Sequence, residues 1–418
     1  MFSKQTISLF IIAFIGFIDF IGIGLVYPMF SSMLYSSNCL FLSDTTSDAM
    51  RGTCLGILLA MMPITQFFSA PLLGILSDQY GRKKILIPSL AVGLIGYLIA
   101  IFAVIQGNLI LLLLSRVGVG IAGGTAAVVN AALADISSNE DKAKNFGLLN
   151  MAMGLGFTLG PLIGGLSSEM HIGFIQGYSV AFLGAAGLIF INLFLVIFFF
   201  EESYTPKIAS KLSILQGIEN IKKALISKQL RFLFGCVFFA CVGWSFYWEF
   251  IPVVWIKDFG FDQKAVGYNF AYGALFYAVS CGLLIRPIVS RFSNYYVLFW
   301  GLVGCSLSIG MLLIHSNPFG LWFYIPIQQF CIALFWPTAA AAVSNSVNEE
   351  QQGETLGILQ SVESLAFAIS PLIAGPLLGI SISMPIFIGS GMILLAALIL
   401  SLSFNQKETS QVKIRINE

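Results

Sequence analysis

Long apolar runs separated by short polar segments dominate the chain. Each run can cross the roughly 30 Å hydrocarbon core of a bilayer as a helix, which takes about 20 residues. The runs fall near residues 6–34, 54–76, 85–105, 109–136, 146–169, 176–200, 231–256, 265–289, 295–315, 319–346, 354–378 and 384–404. The pattern predicts an all-α membrane protein with twelve transmembrane helices, called spans 1 to 12 below.

A polar stretch divides the spans into two sets of six. We expect a six-helix bundle at residues 1–200, a cytoplasmic central loop at 201–230, a second bundle at 231–404 and a cytoplasmic tail at 405–418. The central loop contains LSILQGIENIKKALI, whose apolar spacing predicts an amphipathic helix at the membrane surface. Two similar halves of this kind can rock about a site near the bilayer midplane.

Basic residues are distributed unevenly between the two sets of loops. Of the 21 lysine and arginine residues, only Arg51, Lys257 and Lys264 fall in loops opposite the termini, and Arg116 lies within span 4. Basic residues in short loops stay in the cytoplasm. The sequence therefore predicts a multi-pass protein of the cell (inner or plasma) membrane with both termini cytoplasmic.

The composition excludes several classes of function. Hydrophobic residues make up 57% of the chain and charged residues 10%, against roughly 25% charged residues in soluble domains. The net charge is only +1 and the basic residues lie in short loops, so the chain offers no basic face to a nucleic acid. Gly118, Gly120 and Gly123 spell GxGxxG inside a span with no preceding strand, which indicates helix packing. We expect no cofactor, no metal, no nucleic-acid partner and no enzymatic activity.

The loop between spans 2 and 3 reads GILSDQYGRKK, from Gly74 to Lys84. Asp78 can face the positive end of a helix, Gly81 permits a sharp reversal, and Arg82 favours the cytoplasmic side. A positively flanked turn is the plainer interpretation. The stretch resembles the loop signature of the major facilitator superfamily, G-x-L-x-D-x-x-G-R-K-K, at every specified position. The resemblance implies two six-helix bundles around a central cavity and a conformational-switch role for Gly74, Asp78, Gly81 and Arg82.

Span 5 reads GLLNMAMGLGFTLGPLIGG. Its glycines let another helix approach closely and its proline bends the segment. Close packing alone would explain them. The spacing is also similar to the antiporter motif of proton-coupled drug exporters in the same superfamily, which implies export. The motif residues are Gly147, Gly156, Gly160, Pro161, Gly164 and Gly165.

Two opposite charges lie at matched depths in the first half. Arg116 is about 10 Å from the outer edge of span 4, and Asp19 in span 1 is at about the same depth. Because an unpaired buried charge costs several kcal/mol, we predict that the two lie close enough to interact. The Arg-to-Gly spacing of span 4 resembles the superfamily's motif there, and FIDFIGIGLVYP resembles the first span of tetracycline efflux proteins.

The second half adds two carboxyl groups. Glu363 in span 11 lies about 13 Å inside the inner edge, where it could bind and release a proton or make a structural hydrogen bond. Glu249 in span 7 lies nearer the outer edge and is either a proton site or simply wet. The proton-coupling candidates are Asp19, Arg116, Glu249 and Glu363.

A polar and aromatic set forms the candidate substrate cavity. Span 4 has one small and polar face, and aromatic rings can stack against a flat ligand. Tetracycline exporters, as a family, use polar and acidic groups in spans 8 and 9, whereas span 9 here has no carboxylate. The candidates are Asn130, Trp244, Tyr247, Trp248, Asn269, Tyr272, Trp336 and Gln360.

Together these features predict a secondary transporter that exports a small organic compound or drug in exchange for protons. Its expected partners are that substrate, protons and the lipid bilayer, and we expect a monomer. An importing proton symporter for a metabolite or siderophore-like compound is the alternative, because a fold does not determine direction. A non-transporting receptor is favoured only by the degenerate loop RPIVSRFSNYY between spans 8 and 9. A disulfide between Cys39 and Cys54, which flank a polar loop, is left open.

Overall fold

The computed structural model describes residues 4–35, 39–138, 141–167, 170–172, 175–203, 215–227, 230–312 and 317–417. Residues 204–214 and 228–229 of the predicted central loop lie outside these ranges.

The first half of the described chain is almost entirely helical. A short antiparallel hairpin, β1 (His171–Ile172) with β2 (Ile175–Gln176), separates the last two helices and is not predicted by the apolar pattern. The helices are α1 (Lys4–Tyr35), α2 (Asp48–Tyr80), α3 (Arg82–Ile105), α4 (Leu109–Gly123), α5 (Thr125–Ile136), α6 (Lys142–Leu166) and α7 (Tyr178–Phe199).

The second half begins with the short amphipathic helix predicted in the central loop, here α8. A π-helical turn, Ser280–Leu284, separates two of the later helices. The helices are α8 (Gln216–Ile226), α9 (Arg231–Asp258), α10 (Gln263–Val279), α11 (Ile285–Val289), α12 (Asn294–Leu312), α13 (Leu321–Ser344), α14 (Glu349–Leu377) and α15 (Met384–Asn417).

Local sequence explains several helix ends. The Ser47 side chain accepts a hydrogen bond from the Met50 amide at the start of α2, and Asn108 accepts from Ile110 and Leu111 at the start of α4. Such side-chain caps satisfy amides that have no partner within the helix. α2 ends at Tyr80, and the φ of 103° at the following Gly81 is strained for any residue with a Cβ.

Eleven helices of the described residues are long and apolar enough to cross a membrane. The predicted eighth span is a helical run over residues 263–289 that the π-turn interrupts. The fourth span consists of α4 and α5, which the single residue Gly124 separates. The all-α architecture of twelve spans is confirmed, although two spans are not continuous α-helices.

The chain forms two compact units. The first comprises residues 1–216 and 255–271, and in it α1 packs against α6, and α3 against α4 and α7. Ile12, Leu90 and Val128 belong to its core. The second comprises residues 217–254 and 272–418, and in it α12 packs against α13 and α15. The predicted domain boundaries stay a prediction. Cys39 and Cys54 are both free thiols.

Candidate transport site

Arg116 is enclosed by aromatic rings in the first unit. Its guanidinium carbon lies 5.5 Å from the ring centroid of Phe30, 5.5 Å from that of Tyr97 and 5.3 Å from that of Phe182. Its Nε donates to Ser115 Oγ at 3.1 Å, and its two terminal nitrogens have no hydrogen-bond partner. Since each cation–π contact contributes about 0.5–2 kcal/mol, this aromatic cage offsets part of the cost of burying the charge.

Asp19 belongs to the same unit, on α1. Among the described residues it forms no ion pair with Arg116. Tyr97 is within electrostatic range of both groups. Asp19 and Arg116 therefore do not form the ion pair that would be the most direct form of the predicted interaction. Tyr97, which the sequence analysis missed, interacts electrostatically with both groups.

The second unit contains the other two carboxyl groups. Glu249 on α9 is only 3% exposed, so the interpretation of it as a wet surface residue is wrong. One of its oxygens accepts from Ser245 Oγ at 2.8 Å and the other has no hydrogen-bond partner. Glu363 on α14 is half-buried. Neither forms an ion pair with a base among the described residues.

Three of the cavity candidates form one aromatic cluster on α9, the helix that carries Glu249. Trp244 and Trp248 stack with ring centroids 5.3 Å apart, and Tyr247 lies 5.6 Å from Trp244. The Tyr247 hydroxyl lies beside the Gln328 side chain. The amide of Gln328 is fully buried and makes no hydrogen bond of normal geometry, a feature that the apolar pattern of span 10 conceals.

The remaining cavity candidates do not join this cluster. Trp336 stacks on Phe367 of α14 at 6.2 Å, and Tyr272 donates to the Trp322 carbonyl at 3.0 Å. Asn269 donates to the carbonyl of Ala265, one turn back in its own helix. The exposed candidates are Asn130 and Gln360.

Arg82 is the centre of the predicted switch loop. Its Nη1 lies 2.5 Å from Asp78 Oδ1 and donates to Ser77 Oγ at 2.6 Å. Its Nε donates to Asp135 Oδ2 at 2.9 Å. Gly74 lies beside the fourth span, where an added Cβ would be 3.6 Å from Ala127.

Glu202, just after α7, completes this loop and was not predicted. Its carboxylate oxygens accept from the backbone amides of Arg82 at 2.7 Å and Lys83 at 3.1 Å, which are the first amides of α3. An added Cβ on Gly81 would come within 2.5 Å of that carboxylate. Asp135 is in the last turn of span 4 and Glu202 follows span 6, and both spans end on the same predicted side as Arg82, which is the signal that could have identified them.

The antiporter-motif glycines of α6 contact the backbone of α1. An added Cβ would lie 2.7 Å from the Ile21 carbonyl oxygen at Gly160, and 2.7 Å from the Leu25 carbonyl oxygen at Gly164. Gly156 meets the α1 backbone in the same way. Gly147, by contrast, has nothing within 4 Å of an added Cβ. Three motif glycines therefore determine how closely α1 and α6 pack.

The end of the motif faces a different helix of the same unit. An added Cβ on Gly165 would lie 2.7 Å from the Cα of Gly267 in α10, and one on Gly267 would lie 3.0 Å from the Pro161 carbonyl. The Gln263 side-chain amide donates to the Gly164 carbonyl. The motif thus serves two helix contacts at once.

The chain is similar in sequence to drug-resistance proteins. The chain is 28% identical over 424 residues to the class H tetracycline resistance protein of Pasteurella multocida, covering 96% of this chain and 97% of that one. It is 28% identical to the class C protein of Escherichia coli over 364 residues, 85% and 86% of the two chains. Quinolone resistance protein NorA of Staphylococcus aureus is 27% identical over 401 residues, 94% and 95% of the two chains.

Solved structures share the fold. A D-xylose-proton symporter superposes with a TM-score of 0.75 at 16% identity, covering 94% of this chain and 97% of that one. The human organic anion transporter MFSD10 superposes with a TM-score of 0.70 at 19% identity, covering 96% and 100%. The sequence profile of the Major Facilitator Superfamily matches residues 10–281 and, in a second match, residues 233–417. The chain is a multi-pass membrane transporter that belongs to the Major Facilitator Superfamily.

Proposed function

We propose that this transporter exports a small organic compound from the cell in exchange for protons, with both of its termini in the cytoplasm. The relatives named for tetracycline and quinolone resistance support export rather than import. The inside location of the termini rests on the distribution of lysine and arginine over the loops.

The observation that carries the proposal is a set of carboxyl groups inside spans. Asp19, Glu249 and Glu363 form no ion pair with a base among the described residues. An ionised carboxylate without such a partner is costly in hydrocarbon, whereas a protonated one is tolerated. Each group can therefore carry a proton in one state and release it in another.

The aromatic cluster on the helix of Glu249 supports an organic substrate. Trp244, Tyr247 and Trp248 form a buried set of flat apolar rings on the same helix as a carboxyl that can be neutral or charged. Flat ring systems, and cations above all, bind such faces. A cationic or zwitterionic aromatic compound and a proton would then compete for Glu249, which is the simplest physical basis of exchange.

Inside-out membrane vesicles with an acidified interior test the proposal. We expect at least one of a tetracycline, a quinolone and ethidium to accumulate and to discharge the pH gradient. Glu249→Gln should lower this exchange at least tenfold, because the neutral amide cannot release a proton. Glu219→Gln, in the exposed face of α8, is the matched control and should exchange normally.

The same vesicles discriminate the rival function. A compound that moves together with protons, and not against them, would identify an importing symporter. The proposed antiport would be contradicted if no compound of the panel elicited a proton flux, or if Glu249→Gln exchanged normally.

A further inference from the structure

Tyr97 connects the two charged groups of the first unit. It lies on α3, is 2% exposed and presents its ring to the guanidinium of Arg116. The hydroxyl end of the same side chain lies against Gly22 of α1, where an added Cβ would collide with Oη. Gly22 is three residues beyond Asp19, on the same face of α1. One side chain thus spans from Arg116 to the helix surface that carries Asp19.

The surroundings contain few other ionisable groups. Among the described residues, the ionisable groups that interact electrostatically with Tyr97 of α3 are Asp19 of α1 and Arg116 of α4. α7 contributes the ring of Phe182, which is 6.3 Å from that of Tyr97, and α1 also contributes Phe30. The charge on Asp19 is therefore the variable to which Arg116 can respond.

The partners of Arg116 explain why it should respond. Its terminal nitrogens face aromatic rings and have no hydrogen-bond acceptor. A carboxylate attracts a guanidinium more strongly than a ring does, and in a medium of low dielectric constant the attraction extends over several ångströms. The caged position of Arg116 is consequently favoured while Asp19 is neutral.

We propose that Tyr97 is a positioning residue that couples the protonation of Asp19 to the position of Arg116. Its ring retains the guanidinium while Asp19 holds a proton. Its hydroxyl offers a hydrogen-bond donor to the ionised carboxylate after the proton has left for water. The inference rests on the proposed proton coupling. It assigns the part of that coupling in the first unit to Asp19, Tyr97 and Arg116, which lie on three helices.

A pH titration of the full-length protein in lipid nanodiscs tests this role. Infrared absorbance of the protonated carboxyl, assigned with Asp19→Asn, reports the midpoint of the Asp19 titration. Tyr97→Phe removes only the hydroxyl and should move that midpoint by at least about one pH unit, a tenfold change in proton affinity. Gly22→Ala keeps the tyrosine but fills the space of its hydroxyl, and should move the midpoint similarly.

Tyr35→Phe is the matched control. Tyr35 is the last residue of α1, far from Asp19, and its hydroxyl donates to the backbone carbonyl of Asp48 in α2. Loss of this hydroxyl should therefore leave the Asp19 midpoint unchanged. A wild-type midpoint in Tyr97→Phe or in Gly22→Ala would overturn the role of Tyr97, as would the absence of any Asp19 titration. If instead the midpoint moves but Asp19→Asn exchanges normally in vesicles, Tyr97 keeps its role and proton coupling through Asp19 is wrong.

Discussion

Arg82 makes two ion pairs in the first unit. Its side chain is 5% exposed, while those of its partners Asp78 and Asp135 are 49% and 21% exposed. Two carboxylates and the Ser77 hydroxyl accept hydrogen bonds from its buried guanidinium. Because its planar fork bonds in several directions, lysine is not an equivalent substitute.

Arg82→Ala should lower the free energy of unfolding by about 3 kcal/mol, because two carboxylates lose their buried partner. Arg82→Lys should recover only part of this loss. Thermal unfolding of the detergent-purified protein measures both. Lys84→Ala, an exposed neighbour in the same loop, is the control and should change stability by less than about 0.5 kcal/mol. Equal stability of the two alanine variants would show that the Arg82 ion pairs do not stabilise the fold.

At the level of single residues, the sequence predicted which charges need partners better than it predicted the partners. The depth of Arg116 in span 4 predicts that it needs a partner, and the matched depth of Asp19 predicts that the two interact. The structure instead uses rings of Phe30, Tyr97 and Phe182 from three helices. Glu202 was missed for a similar reason, since its contact with α3 joins positions about 120 residues apart. No periodicity within one segment encodes such contacts.

At the scale of helices, the packing of α6 on α1 depends on glycines at specific positions. At Gly160 an added Cβ would lie 2.7 Å from the Ile21 carbonyl oxygen and 2.9 Å from the Leu25 amide nitrogen. Both are backbone atoms, so the two helices would have to separate. Gly154 in the same helix has nothing within 4 Å of an added Cβ.

Gly160→Ala should therefore destabilise the protein by about 1–3 kcal/mol through overpacking. Gly154→Ala should be neutral or should stabilise it by up to about 1 kcal/mol, because alanine has the higher helix propensity. Thermal unfolding of the two purified variants provides the comparison. If Gly160→Ala is as stable as Gly154→Ala, α6 does not pack on α1 as described.

The loop before α2 depends on a second arginine. Arg51 is 8% exposed and donates to the carbonyls of Ser43 at 2.8 Å and Thr46 at 3.1 Å, and also to that of Leu34. Nearby, Lys257 pairs with Asp48 at 3.0 Å, but both side chains are more than a third exposed. These groups lie around an open polar cavity of about 380 Å³.

Arg51→Ala should increase the mobility of the loop, because three carbonyls lose their hydrogen-bond donor. Lys257→Met should change it little, because exposed ion pairs contribute only about 0–1 kcal/mol. Hydrogen exchange of the backbone amides over residues 43–47 is the appropriate measurement. We expect at least tenfold faster exchange in Arg51→Ala and nearly unchanged exchange in Lys257→Met. The opposite order would mean that the ion pair, and not Arg51, orders the loop.

The number of spans could be predicted from the sequence, but their interruptions could not. Hydropathy reports only that a segment is apolar, so spans 4 and 8 appeared uniform. In the fourth span, the Gln66 amide donates to the Gly123 carbonyl at 3.2 Å, and Ser69 donates to that of Gly120 at 3.2 Å. α2 therefore supplies hydrogen-bond donors to two carbonyls beside Gly124. This is a contact between helices that the sequence of span 4 does not contain.

At the scale of the whole molecule, transport requires two end states of similar free energy, so a group that stabilises only one of them can control flux. Asp78 suits this role better than Asp135. It is the more exposed partner of Arg82 and belongs to the loop that resembles the superfamily's loop signature. Removing its charge leaves Arg82 with Asp135 and Ser77, so the folded protein should survive.

Asp78→Asn should accordingly reduce exchange in inside-out vesicles at least tenfold, while the free energy of unfolding falls by no more than about 1 kcal/mol, because the Asp78 carboxylate is exposed to solvent. A shift of about 1.4 kcal/mol between the end states is sufficient for a tenfold change in their ratio. Asp141→Asn removes an exposed carboxylate from the following loop on the same predicted side and should exchange normally. Normal flux in Asp78→Asn, or a loss of flux matched by unfolding, would mean that Asp78 has a purely structural role and that another contact selects the end state.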